Sequence, residues 1–291
     1  MQKTLDLSMK KHETGTIDGG FSVKGGKPYS SYMQNSEWDR FIRDMEENHG
    51  EAFVEYGAGS GGECKSNGAY PPKMASYGSS SRMIYNLCKE IPGFHFEYKL
   101  HTTVGGTANL DGFLEREEEL IYVEAKCREP YGEKPHLIEK KYKELYDYIN
   151  AQATNNLRIR AEPLVSKLNV SFSVNGKEIK HFDIKQMLCH LLGIATKHLR
   201  QPTHKRITFL YLAYDPRRIE LIDSKKGAKI IAVYNEMCEE CKAVDFKALF
   251  TDVCRFLAEK LGIINTNIDA LSNAFHFQLR DQSNFVSEEW R

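Results

Sequence analysis

No run in this chain approaches the roughly 20 consecutive apolar residues that a membrane-spanning helix needs. The opening Met1-Gln2-Lys3-Thr4-Leu5 leads into a polar segment with no apolar stretch of signal-peptide kind. Both absences lead us to expect a cytoplasmic chain with no membrane partner. Neither charge is in excess: 40 Lys and Arg stand against 40 Asp and Glu in 291 residues, so attraction to a polyanion must come from a local patch and not from the average field. Cysteine occurs in odd number, seven, at scattered positions, which supplies no disulfide framework and reads as reduced thiols. Cys238 and Cys241 form the only C-x-x-C, and without a second pair at the right spacing they do not announce a zinc site. Internal repeats are lacking too.

What is present is a succession of helix and strand signals. The first 35 residues, rich in Gly, Lys and Ser, have no sustained period and read as an N-terminal arm, leaving 36–291 as one domain. Ser36 opens a helix with Trp38, Phe41, Ile42 and Met45 on one face, ending near Gly50. Ala52 to Tyr56 suggests a short strand, and Gly57 to Ser79 a loop. One of Ser79 to Ser81 caps a helix running to about Glu90, stopped by Pro92-Gly93. Phe94, Phe96, Tyr98 and Leu100 then alternate with polar residues, as in a half-buried strand. Ala108 to Glu115 and Leu120 to Cys127 flank the polar run Arg116-Glu117-Glu118-Glu119 and predict a hairpin. His136 to Gln152 reads as a charged helix. Asn175-Gly176 between Val170–Val174 and Lys177–Phe182 is the strongest short hairpin signal in the chain. Asp183 caps a helix to about Leu199, Ile207 to Tyr214 is a short buried strand, and the remainder is mostly helical, around Ala228 to Cys241 and Phe246 to Leu261.

Glu-x-Lys occurs six times, at Glu63, Glu97, Glu124, Glu139, Glu178 and Glu240. Glu139 and Glu240 fall on predicted helices, where positions two apart point in divergent directions. Glu63 lies in a Gly-rich loop. On a strand the period of two sets Glu and Lys on one face, which leaves Glu97, Glu124 and Glu178. A hard cation such as Mg²⁺ is usually held by one or two carboxylates, with water and phosphate completing its shell. Only Glu124 has a second acid across from it: if Glu115 pairs with Leu120, the hairpin register sets Asp111 opposite Glu124. Asp111, Glu124 and Lys126 then share one face of a strand whose neighbours, Leu120, Tyr122 and Ala125, are apolar or aromatic. The plain alternative is a solvated hairpin with its charges in water.

An aspartate on one hairpin strand and Glu-x-Lys on the next, followed by a helix and a strand, resembles the PD-(D/E)XK, or restriction-endonuclease-like, nucleases. The helix from Ser81, the strand from Phe94, the hairpin strands, the helix from Asp183 and the strand from Ile207 stand in the order of that superfamily's αβββαβ core, over about 79–215. The resemblance implies an α/β fold with a mixed central sheet, a β-hairpin insertion at about 157–182 and a helical C-terminal region. The family's proline before the aspartate is replaced by Leu110. The resemblance also implies a metal-dependent DNA endonuclease, a phosphodiester hydrolase. Asp111, Glu124 and the carbonyl of Ala125 would ligate Mg²⁺ or Mn²⁺, Lys126 would orient the attacking water, and the products would carry a 5′-phosphate and a 3′-hydroxyl. Glu90 or Glu97 would be an accessory acid, and Gln186 the glutamine that some relatives place beside the lysine. DNA is the partner this implies, with a homodimer left open. Two other readings stand beside it: a nucleic-acid-binding or assembly protein of the same fold without turnover, and a methyltransferase.

The last rests on Phe53-Val54-Glu55-Tyr56-Gly57-Ala58-Gly59-Ser60-Gly61-Gly62, which looks like the first motif of Rossmann-type methyltransferases that bind S-adenosylmethionine. The helix that should open at Gly62 is contradicted by Pro71-Pro72, Gly78 and a run of serines. For DNA, basic clusters occur at Lys140, Lys141 and Lys143, at Lys197, Arg200, Lys205 and Arg206, and at Arg217, Arg218, Lys225 and Lys226. The second cluster, with Arg128, is the one expected to meet phosphates.

Overall fold

The structure is a computed structural model and describes residues 33, 35–58, 63–65, 72–76, 78–127, 136–218, 225–264, 266–282 and 285. Most of the N-terminal arm, all but Met33 and Asn35, and Arg128 lie outside them. Among the described residues no helix is long and apolar enough to cross a membrane.

The fold is mixed α/β. Two helices, α1 (Asn35–Asn48) and α2 (Gly50–Ala58), precede α3 (Ser80–Cys88), then β1 (Phe94–His101), β2 (Thr107–Glu115) and β3 (Glu119–Lys126). After β4 (His136–Glu139) and α4 (Lys143–Ala151) come β5 (Leu157–Pro163), β6 (Lys167–Val174) and β7 (Lys177–Ile179). The chain continues through α5 (Ile184–Arg200), β8 (Arg206–Ala213), α6 (Lys225–Ala243), α7 (Phe246–Leu261), α8 (Ile268–Ala274) and β9 (Phe275–Asp281). β1, β2, β3, β8 and β9 form a five-stranded sheet in that order, and β4, β6 and β5 a second sheet with β7 on β6. β1 to β3 are antiparallel, whereas β3, β8 and β9 run parallel.

The central sheet is covered on both faces. On one, Tyr122, Phe209 and Tyr211 join a core with α5 and α7; on the other, Val123, Ala125, Leu210 and Leu212 join a core with Tyr56, Ile84 and Tyr85. Continuous apolar runs in β3 and β8 are what a strand buried on both sides demands.

Capping chemistry sets several boundaries as expected: the Ser79 side chain accepts from the Arg82 N–H before α3, and Asp183 accepts from the Gln186 N–H before α5. Asn175 and Gly176, with φ of 51° and 78°, make the β6–β7 turn. The Glu115–Leu120 pairing is present, and its register continues to Gly112 opposite Val123.

Three expectations are corrected. Ala52–Tyr56 is not a strand but part of α2, where Ala52 and Tyr56, four residues apart, are both buried. His136–Glu139 is a strand paired with β6, and the helix expected from His136 begins only at Lys143; a partner strand distant in sequence overrides the local helical pattern. The insertion is therefore a small sheet and not a lone hairpin. The C-terminal region is helical as expected except for β9, whose alternation from Phe275 was overlooked and which completes the main sheet beside β8.

Candidate active site

β1 and β2 change the face they present halfway along. Phe94 and Phe96 pack in one core while Leu100 and Tyr98 pack in the other, although strict alternation would put all four on one side. The reversal falls at Glu97, a non-glycine residue with φ of 52° inside a strand, a conformation that costs free energy and persists only where its surroundings impose it. The residue pairing skips Glu97 and Asp111 while holding on either side, from Phe96–Gly112 to Tyr98–Leu110. A carboxylate of α2 braces the kink: Glu55 accepts from the Phe96 N–H at 2.7 Å and lies 2.8 Å from His95 Nδ1. At the same level the β2–β3 ladder stops at Gly112–Val123, so β2 parts from β3 where Asp111 stands.

Into this gap come the acids. Asp111 Oδ2 accepts from the Ala125 N–H at 2.7 Å. Glu124 and Lys126 are both buried on β3, with Lys126 Nζ 2.7 Å from Glu124 Oε1. The solvated-hairpin alternative is thereby excluded. α5 completes the arrangement: residues four apart on a helix lie on one side, as do residues two apart on a strand. Gln186 Oε1 accepts from Lys126 Nζ at 2.6 Å, and His190 Nε2 lies 2.9 Å from Glu124 Oε2. Thus Gln186 sits beside the lysine, and His190, which sequence reading missed, faces the glutamate.

The accessory acids separate. Glu90 is largely exposed, 3.6 Å from His49, and contacts none of these groups. Glu97 belongs to the cluster, and so does a residue first set aside as a loop match, Glu63. Its side chain is 3% exposed, with Oε1 2.5 Å from Lys73 Nζ and Oε2 without a hydrogen-bond partner. Nothing local in sequence marks Glu63, because its place depends on residues ten and eleven positions further on: Lys73 pairs with its carboxylate, and the Met74 N–H donates to its carbonyl while Met74 packs in the core.

The carboxyls do not ionise alike. Burial and then the charge of Glu63 push Glu97 up to about 7, with Lys73 opposing. Burial and the charge of Glu124 raise Asp111 well above the usual carboxylate range, more than Lys126 and the Ala125 N–H lower it. For Glu124 burial also acts upward, but Lys126 and His190 outweigh it and hold the carboxyl low. Glu124 is thus the anion paired with the Lys126 ammonium, whereas burial and neighbouring carboxylates raise Asp111 and Glu97. Among the described residues no set of three or more His, Cys, Asp and Glu is arranged to hold a metal ion. One or two carboxylates can suffice for a hard cation whose shell is filled by water and phosphate, and the repulsion that raises Asp111 and Glu97 is of the kind that a bound cation would relieve.

The basic cluster expected to meet phosphates lies elsewhere. Lys205 binds Glu115 and the Arg116 carbonyl, and Arg206 forms a two-bond pair with Glu119. Both sit at the start of β3 and β8, roughly 20 Å along the strand from Lys126 at about 3.3 Å per residue. Lys197 is enclosed by the rings of Tyr98, Phe113 and Tyr122 at 5.3, 4.8 and 5.6 Å and donates to the Tyr98 hydroxyl. Arg200, exposed, closes the same end of α5. The lysines nearer the site are Lys73 and, on the α5 and β4 side, exposed Lys141 and Lys185. As for the rival motif, Phe53–Tyr56 is helical where it needs a strand, and Gly59 to Gly62 lie outside the described residues. Comparison with protein-family models, with curated proteins and with solved structures finds no match to this chain.

Proposed function

We propose that the chain is a PD-(D/E)XK-type nuclease that hydrolyses phosphodiester bonds in DNA with Mg²⁺ or Mn²⁺. The observation that carries this reading is the buried Glu124–Lys126 pair on one strand, with Asp111 brought beside it where β2 leaves β3. The order α3, β1, β2, β3, α5, β8, with β3 parallel to β8, agrees with the αβββαβ core that the resemblance implies.

Asp111 and Glu124, with the Ala125 carbonyl, would hold the ion, and Glu97 stands near enough to them to share its charge. A bound divalent cation supplies Lewis acidity and a water of lowered pKa. The chain's own contribution is positional. Lys126, fixed between Glu124 Oε1 and Gln186 Oε1, presents its ammonium to the attacking water and to the oxygen on which charge develops. His190 turns the Glu124 carboxylate from its far side. The apolar layers around β3 keep the site's dielectric low, which strengthens each of these interactions.

The test is plasmid cleavage in Mg²⁺ and in Mn²⁺. Asp111→Asn, Glu124→Gln and Lys126→Ala should each lower the rate by about 10² or more while the fold, followed by circular dichroism, is retained. Equal nicking by wild type and all three variants would sink the assignment.

A further inference from the structure

Among the described residues the exposed large apolar side chains are Val54, Ile264 and, side by side at one hairpin tip, Leu164 at 47% and Val165 at 100%. The tip is tight and stiff. Pro163 pairs with Leu168 at the end of the β5–β6 ladder, and the Leu164 N–H donates to the Lys167 carbonyl at 2.8 Å, so the two aliphatic side chains are carried on a short turn between paired strands. Two adjacent aliphatic side chains are too small a patch to mark a contact surface by themselves, so what they meet is decided by their surroundings.

Its position ties it to the acid cluster. Lys140 Nζ donates to the Val165 carbonyl at 3.1 Å. Lys140 begins a single 3-10 turn that ends at Tyr142, whose hydroxyl lies 3.9 Å from Cys189 Sγ. Cys189 adjoins His190, which faces Glu124 at 2.9 Å. The tip is therefore linked to Glu124 through one turn and one helix. Positive charge lies beside it: Lys140 reaches the Val165 carbonyl, and Lys141, Lys167 and Lys185 gather around exposed Glu139; 157–180 carries five Lys and Arg against two Glu in a chain that is neutral overall. An aliphatic point beside a local excess of lysines suits a polyanion with an apolar interior, which is a stacked nucleic-acid duplex: lysines meet phosphates while the aliphatic pair enters between base pairs.

We propose that Leu164 and Val165 form a wedge that unstacks a base step of a duplex lying across the Asp111–Glu124–Lys126 site. This rests on the nuclease reading and adds how the substrate is deformed for cleavage.

The experiment uses the full chain and 40-base-pair duplexes carrying 2-aminopurine at successive positions, with EDTA present to prevent hydrolysis. Wild type should raise the fluorescence of 2-aminopurine at one or two adjacent positions severalfold. Leu164→Ser/Val165→Ser, which changes only exposed side chains, should remove that rise and weaken binding about tenfold at unchanged thermal midpoint, and Val165→Leu should retain both. Unchanged fluorescence and affinity in the double variant, with plasmid cleavage intact in wild type, overturn the wedge and leave the nuclease reading standing. No cleavage by wild type overturns the nuclease reading and the wedge with it. Binding to phosphatidylserine vesicles that is lost in the double variant, while duplex binding is unaffected, assigns the tip to a lipid surface and overturns the proposal.

Discussion

A carboxyl held at about 7 by burial and by Glu63 keeps a proton in the folded chain over a pH range where the unfolded chain has lost its own. Because the folded-state pKa of Glu97 is raised, its ionisation opposes folding. Stability of the cation-free protein is then fully present below pH ~4.5 and falls as pH rises through about 7, by on the order of 3 kcal/mol. Thermal melts in EDTA across this window should show a declining Tm, and Glu97→Gln should flatten the decline. Addition of Mn²⁺ at the alkaline end should raise Tm in wild type, as any ligand that binds only the folded state does, and should do so less in Asp111→Asn. Gln186 is a second residue-scale test. It holds Lys126 together with Glu124, so Gln186→Ala should slow cleavage about tenfold with little loss of Tm, the behaviour of an orienting partner and not of a core residue. A large fall in Tm without a change in rate would contradict that role.

At the scale of elements, everything turns on how closely α5 approaches β1 and β2. A Cβ at Gly193 would stand 2.8 Å from Leu100 Cβ and 3.0 Å from Ala108 Cβ, distances that backbone-near atoms cannot absorb. Gly193→Ala should cost about 1 to 3 kcal/mol. Since the same helix carries Gln186 and His190, its displacement should also lower cleavage, so that stability and activity fall together in denaturant titration and nicking assays. The loop that leads into α5 is fastened from α6. The Glu240 carboxylate accepts from the N–H groups of Lys180, His181 and Phe182 at 2.8 to 2.9 Å, a cradle that explains why this Glu-x-Lys match is buried on a helix. Glu240→Ala leaves three donors without their charged acceptor, and a loss of about 3 kcal/mol is expected.

For the molecule as a whole, the main sheet is closed on one side by its last strand. β9 pairs with β8 along Ile207–Ala213, and β8 is buried at nearly every position. A chain ending at Ala274 would expose that apolar strand as a sheet edge, the surface most prone to pair with another copy. Such a truncation should go to the insoluble fraction, whereas the wild-type chain should remain in solution at the same concentration, as measured by light scattering. The parallel trio β3, β8 and β9 also accounts for the separation of charge in the structure. Lys205 and Arg206 sit at the amino ends of these strands, and Lys126 at a carboxyl end.

What the amino-acid order determined alone was local. Period-two alternation marked β1, the polar run 116–119 between two strand signals marked the β2–β3 hairpin, Ser79 and Asp183 marked two helix starts, Asn175-Gly176 marked a turn, and the hairpin register brought Asp111 toward Glu124. Each rests on contacts between residues close along the chain, where side-chain pattern and turn chemistry suffice. Tertiary structure decided the rest, because it depends on partners far apart in sequence. β4 became a strand only through β6, Glu63 is held only by Lys73 and Met74, ten and eleven residues on, and His190 met Glu124 only because α5 packs over the sheet. Glu97 stands at a left-handed backbone kink that Glu55 braces from another helix. A strained residue held by distant contacts leaves no trace in local propensity, since its energy is offset by the whole fold and not by its neighbours in the chain.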